Sequence, residues 1–164
     1  MLMRAANTAF LPQPWQLAAL DCVLCLYPAA GGGVLDGWRR ATRMQLQCGV
    51  DNQGIDEALL FLDAQGRCCW RLQLLPDGDF LAWDRLCAGV GIAPAEPPVR
   101  DACERWHRRV LSRLRGEAWR GAVLRFHAVA SGVGHAQLAA SLAEPSAIGQ
   151  QLAARLMRSH GIES

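Results

Sequence analysis

The stretch "LLFLDAQGRCCWRLQLL", Leu59 to Leu75, decides how this chain is read. Two apolar runs flank "DAQG", with Asp63 at the first turn position and Gly66 where a positive φ is needed. That is the chemistry of a type I turn closed by a glycine bulge, so the runs are expected to pair as an antiparallel hairpin. Beyond the turn the period is two: Cys68, Trp70, Leu72 and Leu74 on one face, Arg67, Cys69, Arg71 and Gln73 on the other. Trp70 therefore reads first as a sheet-packing residue and second as a wall for a flat ligand.

Working outward, "LDCVLCLYP", Leu20 to Pro28, is a strand ended by Pro28 and the glycines at 31–33. Asp36 is placed to cap a short turn through Trp38 and Arg40. "TRMQLQCGV" alternates as another strand, and "DNQG" at 51–54 turns the chain back. After Leu75, Asp77 or Asp79 can cap a helix over "FLAWDRLCAG", with Phe80, Trp83 and Leu86 or Cys87 inward and Gly89 at its end. The proline-rich stretch 88–98 is a candidate subdomain boundary. Val99, Ala102, Cys103, Trp106, Val110 and Leu114 then fall at helical spacing, with arginines toward the C-terminal end where the helix dipole favours them. "AVLRFHAVA", Ala122 to Ala130, is a strand that sets Arg125 and His127 on one face, and Ile148, Leu152 and Leu156 outline a closing helix. The expectation is one domain over 1–164: an arm at 1–19, a sheet-and-helix unit at 20–90, and a helix, strand and C-terminal helix over 99–164. The fold class is α+β, an antiparallel β-sheet flanked by helices.

The sequence is 51% hydrophobic and 20% charged, which suits a packed core and excludes a disordered chain. A net charge of +2 gives no electrostatic footprint for nucleic acid. Every one of the 17 basic residues is arginine; the residue suits carboxylates and phosphates, although coding bias explains the skew as well. No run approaches the length of a membrane span, so no membrane insertion is expected. The seven cysteines match no disulfide framework. Cys22 and Cys25 stand as C-x-x-C inside an apolar run without a second pair, which reads as core thiols and not as a zinc or thioredoxin-like site. Reduced thiols and no adequate leader segment point to the cytoplasm.

Catalytic signatures are missing. The glycines at 31–33 lack the Gly-Lys-Ser/Thr of a phosphate loop, and Ser131 in "VASGVG" does not form a nucleophile elbow. His107, His127, His135 and His160 include no pair at metal-ligand spacing. His127 and His135, on a strand and a glycine-flanked loop, are the two that could border a cleft.

Residues 58 to 90, "ALLFLDAQGRCCWRLQLLPDGDFLAWDRLCAGV", resemble the strand–turn–strand–helix unit of haem-utilisation proteins of the hemin-degrading and ChuX/HutX-like families, with their "FFDAQG" strand and acidic turn before "AF" or "AW". "LDCVLCLYPAAGGGVLDGWRRA" is similar to the family's "DLRLF…HW" strand and turn, and "HAQLAASLAEPSAIGQQLAARLMRSHGI" to its connecting helix region. The resemblance implies an antiparallel sheet flanked by helices, haem as ligand in bacterial iron acquisition, and a homodimer. No histidine stands in a motif matching the family's haem ligand. From the residues themselves, His127 is the candidate ligand for haem iron, with Arg125, Arg71 and Trp70 as further cofactor-binding candidates if their strands are neighbours. The rival expectation is a haem-free interaction module of the same fold, for which six tryptophans and exposed arginines would serve as anchors.

Overall fold

Six strands among the described residues form one antiparallel sheet. The computed structural model describes residues 11–51, 54–92, 118–132 and 134–162. The strands are β1 (Val23–Pro28), β2 (Arg43–Asp51), β3 (Gly54–Leu62), β4 (Cys68–Leu74), β5 (Trp119–Ala130) and β6 (Ala136–Leu142), in the spatial order β2-β3-β4-β1-β5-β6. Four helices are described: α1 (Pro14–Ala18), α2 (Asp36–Arg40), α3 (Phe80–Cys87) and α4 (Ala147–Ser159). The expected α+β architecture is therefore observed. The helix outlined by Val99 to Leu114, with His107 and its arginine run, lies outside the described residues.

The hairpin at Gly66 forms as its turn chemistry requires. Gly66 has φ +77°, and the Asp63 carboxylate accepts the backbone N–H groups of Gln65 and Arg67, each at 2.9 Å. These bonds, with the Arg67 guanidinium, hold the Asp63 carboxyl below its usual range. The register slips between Phe61 and Leu62, and the bulge rotates the start of β4. Cys69 consequently joins Trp70 in the core instead of facing the other way, its thiol donating to the carbonyls of Gly37 and Phe61. Strict alternation had assigned it to the Arg71 face.

β1 is the keel of the sheet. It pairs with β4 through Cys25↔Leu72 and with β5 through Cys25↔Ala122, so the 20–90 unit and the segment after 118 share one continuous layer. Both faces carry apolar clusters. The first contains Val23, Cys25, Phe61, Trp70, Leu72 and Phe126 beneath α1, α2 and α3. The second contains Leu24, Leu26 and Leu75 beneath Ala153 and Leu156 of α4. A strand buried on both faces loses its polar alternation, which explains the near-continuous apolar reading of β1.

The helix ends follow local chemistry, with corrections. Asp79 caps α3 by accepting the Ala82 N–H at 3.0 Å, but Phe80 is exposed and the inward residues are Trp83 and Leu86. Asp36 is not a cap: it lies inside α2 and pairs with Arg40 at 3.1 Å. Ser146 caps α4, and its own N–H is held by the Asp77 carboxylate at 2.9 Å. Ile148 points to solvent, so Ala153 and Leu156 make the buried stripe of α4. β6 had no expectation as a strand, and its "AQLAASL" belongs to the stretch compared above with a helical region. Alanine, leucine and glutamine favour helix, but pairing with β5 through Leu124↔Leu142 to Ala130↔Ala136 overrides that preference.

Candidate functional site

The pairing registers decide which candidates meet. Leu24↔Val123 and Leu26↔Gly121 share the face covered by α4, so Arg125 and His127, two and four residues beyond Val123, lie on that face too. β4 places Arg71 opposite Leu26, again on the α4 face, while Trp70 falls on the other.

Trp70 is fully buried, its ring centroid 5.0 Å from Phe61, 5.4 Å from Phe126 and 5.9 Å from Trp38. Its Nε1 donates to the Val34 carbonyl at 2.7 Å, which satisfies the indole's only donor. No surface of Trp70 remains for a ligand, and its expected cofactor contact is corrected to a packing role. Arg71 is also separated from His127. Gly121 marks the level of Arg71 across β1, and His127 lies six residues farther along β5, about 20 Å of strand rise. Arg71 instead donates from Nη1 to Gln47 Oε1 at 2.6 Å, and the buried amide Gln73 donates from Nε2 to Asp56 Oδ1 at 2.7 Å. His160 is exposed as a residue, yet desolvation of its ring, with the Arg71 guanidinium nearby, pushes its imidazole down to about 4.

Arg125 and His127 remain together. Arg125 Nε pairs with Asp21 Oδ1 at 2.7 Å, and Asp21 holds a left-handed backbone with φ 62°, the only non-glycine residue with positive φ among those described. Aspartate tolerates that region better than most residues, and the conformation delivers its carboxylate to the arginine. The His127 Nε2 lies 2.8 Å from Ser141 Oγ on β6. Ala139 stands directly opposite His127, and Val129, half exposed, follows on the same face. The pair thus presents an imidazole and a guanidinium on an exposed, shallow patch.

The opposite face carries an open cleft of about 540 Å³ between the segment at 11–14, α2 and β6. Leu11, Pro12, Leu35, Trp38 and Leu138 line it, and among the described residues Arg39 is its one charged lining residue. No described histidine lines it.

The buried thiols are packing groups. Cys22 packs in the α4 cluster and Cys25 in the opposite one, so the C-x-x-C pair is split by the sheet. Burial raises both thiols, Cys25 strongly, and pushes Cys68 up to about 11 and Cys87 up to about 12. Among the described residues no group of three or more His, Cys, Asp or Glu could hold a metal ion, and no helix is long and apolar enough to cross a membrane. Comparison with known proteins finds no matching family model, no matching curated protein and no matching solved structure.

Proposed function

We propose that this protein binds haem as cargo, in cytoplasmic haem carriage for bacterial iron utilisation, and that His127 and Arg125 are the residues that receive it. The observation that carries this reading is their placement two residues apart on one exposed strand face, each held by a polar partner. An imidazole suits haem iron and a guanidinium suits a propionate. Asp21 fixes the guanidinium through Nε and leaves its terminal nitrogens to meet a carboxylate. The donor set fits haem; among the described residues Val129 and Ala139 are the apolar walls, so the patch grips one side of a ring. His127 and Ser141 form an imidazole–hydroxyl pair. Among the described residues, however, no third group is seen to orient the imidazole as a serine nucleophile's base requires, and we read the chain as a binder and not a catalyst.

Titration with hemin, followed by the Soret band, tests this. A saturable shift at about one equivalent or half an equivalent per chain is expected, weakened by Arg125→Ala and unchanged by Arg39→Glu in the opposite cleft. Absence of a shift sinks the reading. A shift that Arg39→Glu abolishes moves the ligand to the cleft and sinks the assignment of Arg125.

A haem-free interaction module is the second reading. Leu142, 83% exposed, and Val129, 49% exposed, favour it, since both stand toward the β6 edge of the sheet. It predicts partner capture without absorbance change on hemin addition.

A further inference from the structure

Among the described residues, the edge of the sheet at β6 is unguarded in a specific way. Edge strands usually carry charge, proline, a bulge or a cover that blocks pairing with another chain. The opposite edge has such a cover: Leu46 on β2 donates to the Gly91 carbonyl and bridges to Ile92. β6 has neither charge nor proline in "AQLAASL", and it pairs with β5 without a register shift.

The ladder also fixes which groups are free. The bonds Ala143 N–H to Val123 and Ser131 N–H to His135 belong to the same antiparallel register as Arg125↔Ser141 and His127↔Ala139. Bonded and non-bonded residue pairs alternate in such a ladder. Gln137, Ala139 and Ser141 therefore turn their N–H and C=O groups toward β5. Ala136, Leu138, Ala140 and Leu142 turn theirs outward.

That outward row is complementary to itself. An antiparallel second copy centred on Ala139 sets Leu138 against Ala140 and Ala136 against Leu142, all outward-bonding residues and all on the cleft face. It sets Gln137 against Ser141, polar against polar, on the α4 face. Seven residues pair in full and roughly eight backbone bonds form. No like charges meet.

We propose that a second copy of this chain pairs with β6 across a two-fold axis at Ala139, joining two sheets into one twelve-stranded layer, and that this contact completes the His127 patch. The consequence for the site rests on the haem reading above; the pairing does not. Across the joint the order is β5, β6, partner β6, partner β5, so the two His127 residues face each other over three strand spacings, about 15 Å. The floor between them is two alanines. Each imidazole already leans over β6, because its Nε2 contacts Ser141 there. A ring that one chain grips on one side is thereby flanked by a histidine from each copy, and each copy brings its own Arg125.

Sedimentation velocity on the full chain without hemin tests the pairing, with a dimer expected. Ala140→Pro removes an outward N–H and should yield a monomer with unchanged far-UV circular dichroism. Ala139→Glu, which opposes two carboxylates at the axis and leaves every backbone group in place, should do the same, with the dimer returning as the carboxylates are protonated. A wild-type monomer, or a dimer that neither variant weakens, overturns the proposal. Hemin stoichiometry is read separately: one per two chains supports the shared site, and one per chain overturns that part. A β6-dependent dimer that binds no hemin removes the haem reading and leaves the pairing standing.

Discussion

Replacing Trp70 by alanine separates a packing role from a ligand role. The side chain is fully buried against Trp38, Phe61 and Phe126, and its Nε1–H is the recorded donor to the Val34 carbonyl at 2.7 Å. Truncating a buried tryptophan costs about 3–5 kcal/mol through lost transfer energy and the cavity left behind. Each aromatic pair contributes about 0.5–1.5 kcal/mol beyond its area, and the orphaned Val34 carbonyl adds about 1–3 kcal/mol if water does not reach it. Rigid addition would exceed the truncation range, because partial collapse recovers some contacts, so a loss of about 4 kcal/mol is expected. Against a typical total of about 5–15 kcal/mol this is a large fraction. Urea unfolding with linear extrapolation reads it directly. Trp70→Phe keeps most of the ring and loses the indole bond, and should fall between the two. A loss below about 1 kcal/mol for the alanine variant, or intact stability with hemin binding abolished, would refute the assignment of Trp70 to the core.

Other perturbations test neighbouring parts of the account. Gly37→Ala places a Cβ against the Cys69 carbonyl oxygen and the Trp70 ring, and overpacking of this kind costs about 1–3 kcal/mol, visible as a lower urea midpoint. Ser146→Ala removes the N-cap of α4 and should cost about 1 kcal/mol, with the loss read by thermal unfolding. Asp21→Asn keeps the left-handed backbone but removes the carboxylate charge that faces Arg125, so hemin affinity should change while the melting temperature barely moves. Stability should fall in two acid steps. The neutral His160 imidazole is favoured by the fold, so its contribution is complete above about 6.5, the ordinary histidine value, and fades toward pH 4 as the unfolded chain takes the proton first. Asp63 and Asp77, both held below the usual carboxylate range, lose their contribution only below about pH 4, as protonation breaks their backbone bonds. Melting curves from pH 7 to 3 check both steps, and His160→Asn should remove the first.

Much of the sheet was legible because its signals are local. Turn chemistry at Asp63 and Gly66 and the apolar run of β1 specify strands without knowledge of their partners. What was not legible depended on pairing. Cys69 changed face because of a one-residue register slip that no composition reveals. β6 carried no strand signal because strand identity there comes from its pairing with β5, not from its own residues. The candidate site divided for the same reason. Arg125 and His127 are two apart on one strand, so sequence parity placed them together. Arg71 and Trp70 needed the strand order β4-β1-β5 and its registers, which put one of them far along the sheet and the other beneath it.

The most direct measurement of the central claim is a hemin titration of His127→Ala beside His135→Ala, followed by the Soret band. The account predicts a weakened or displaced transition for the first variant and wild-type behaviour for the second. Equal binding by wild type and His127→Ala would contradict it.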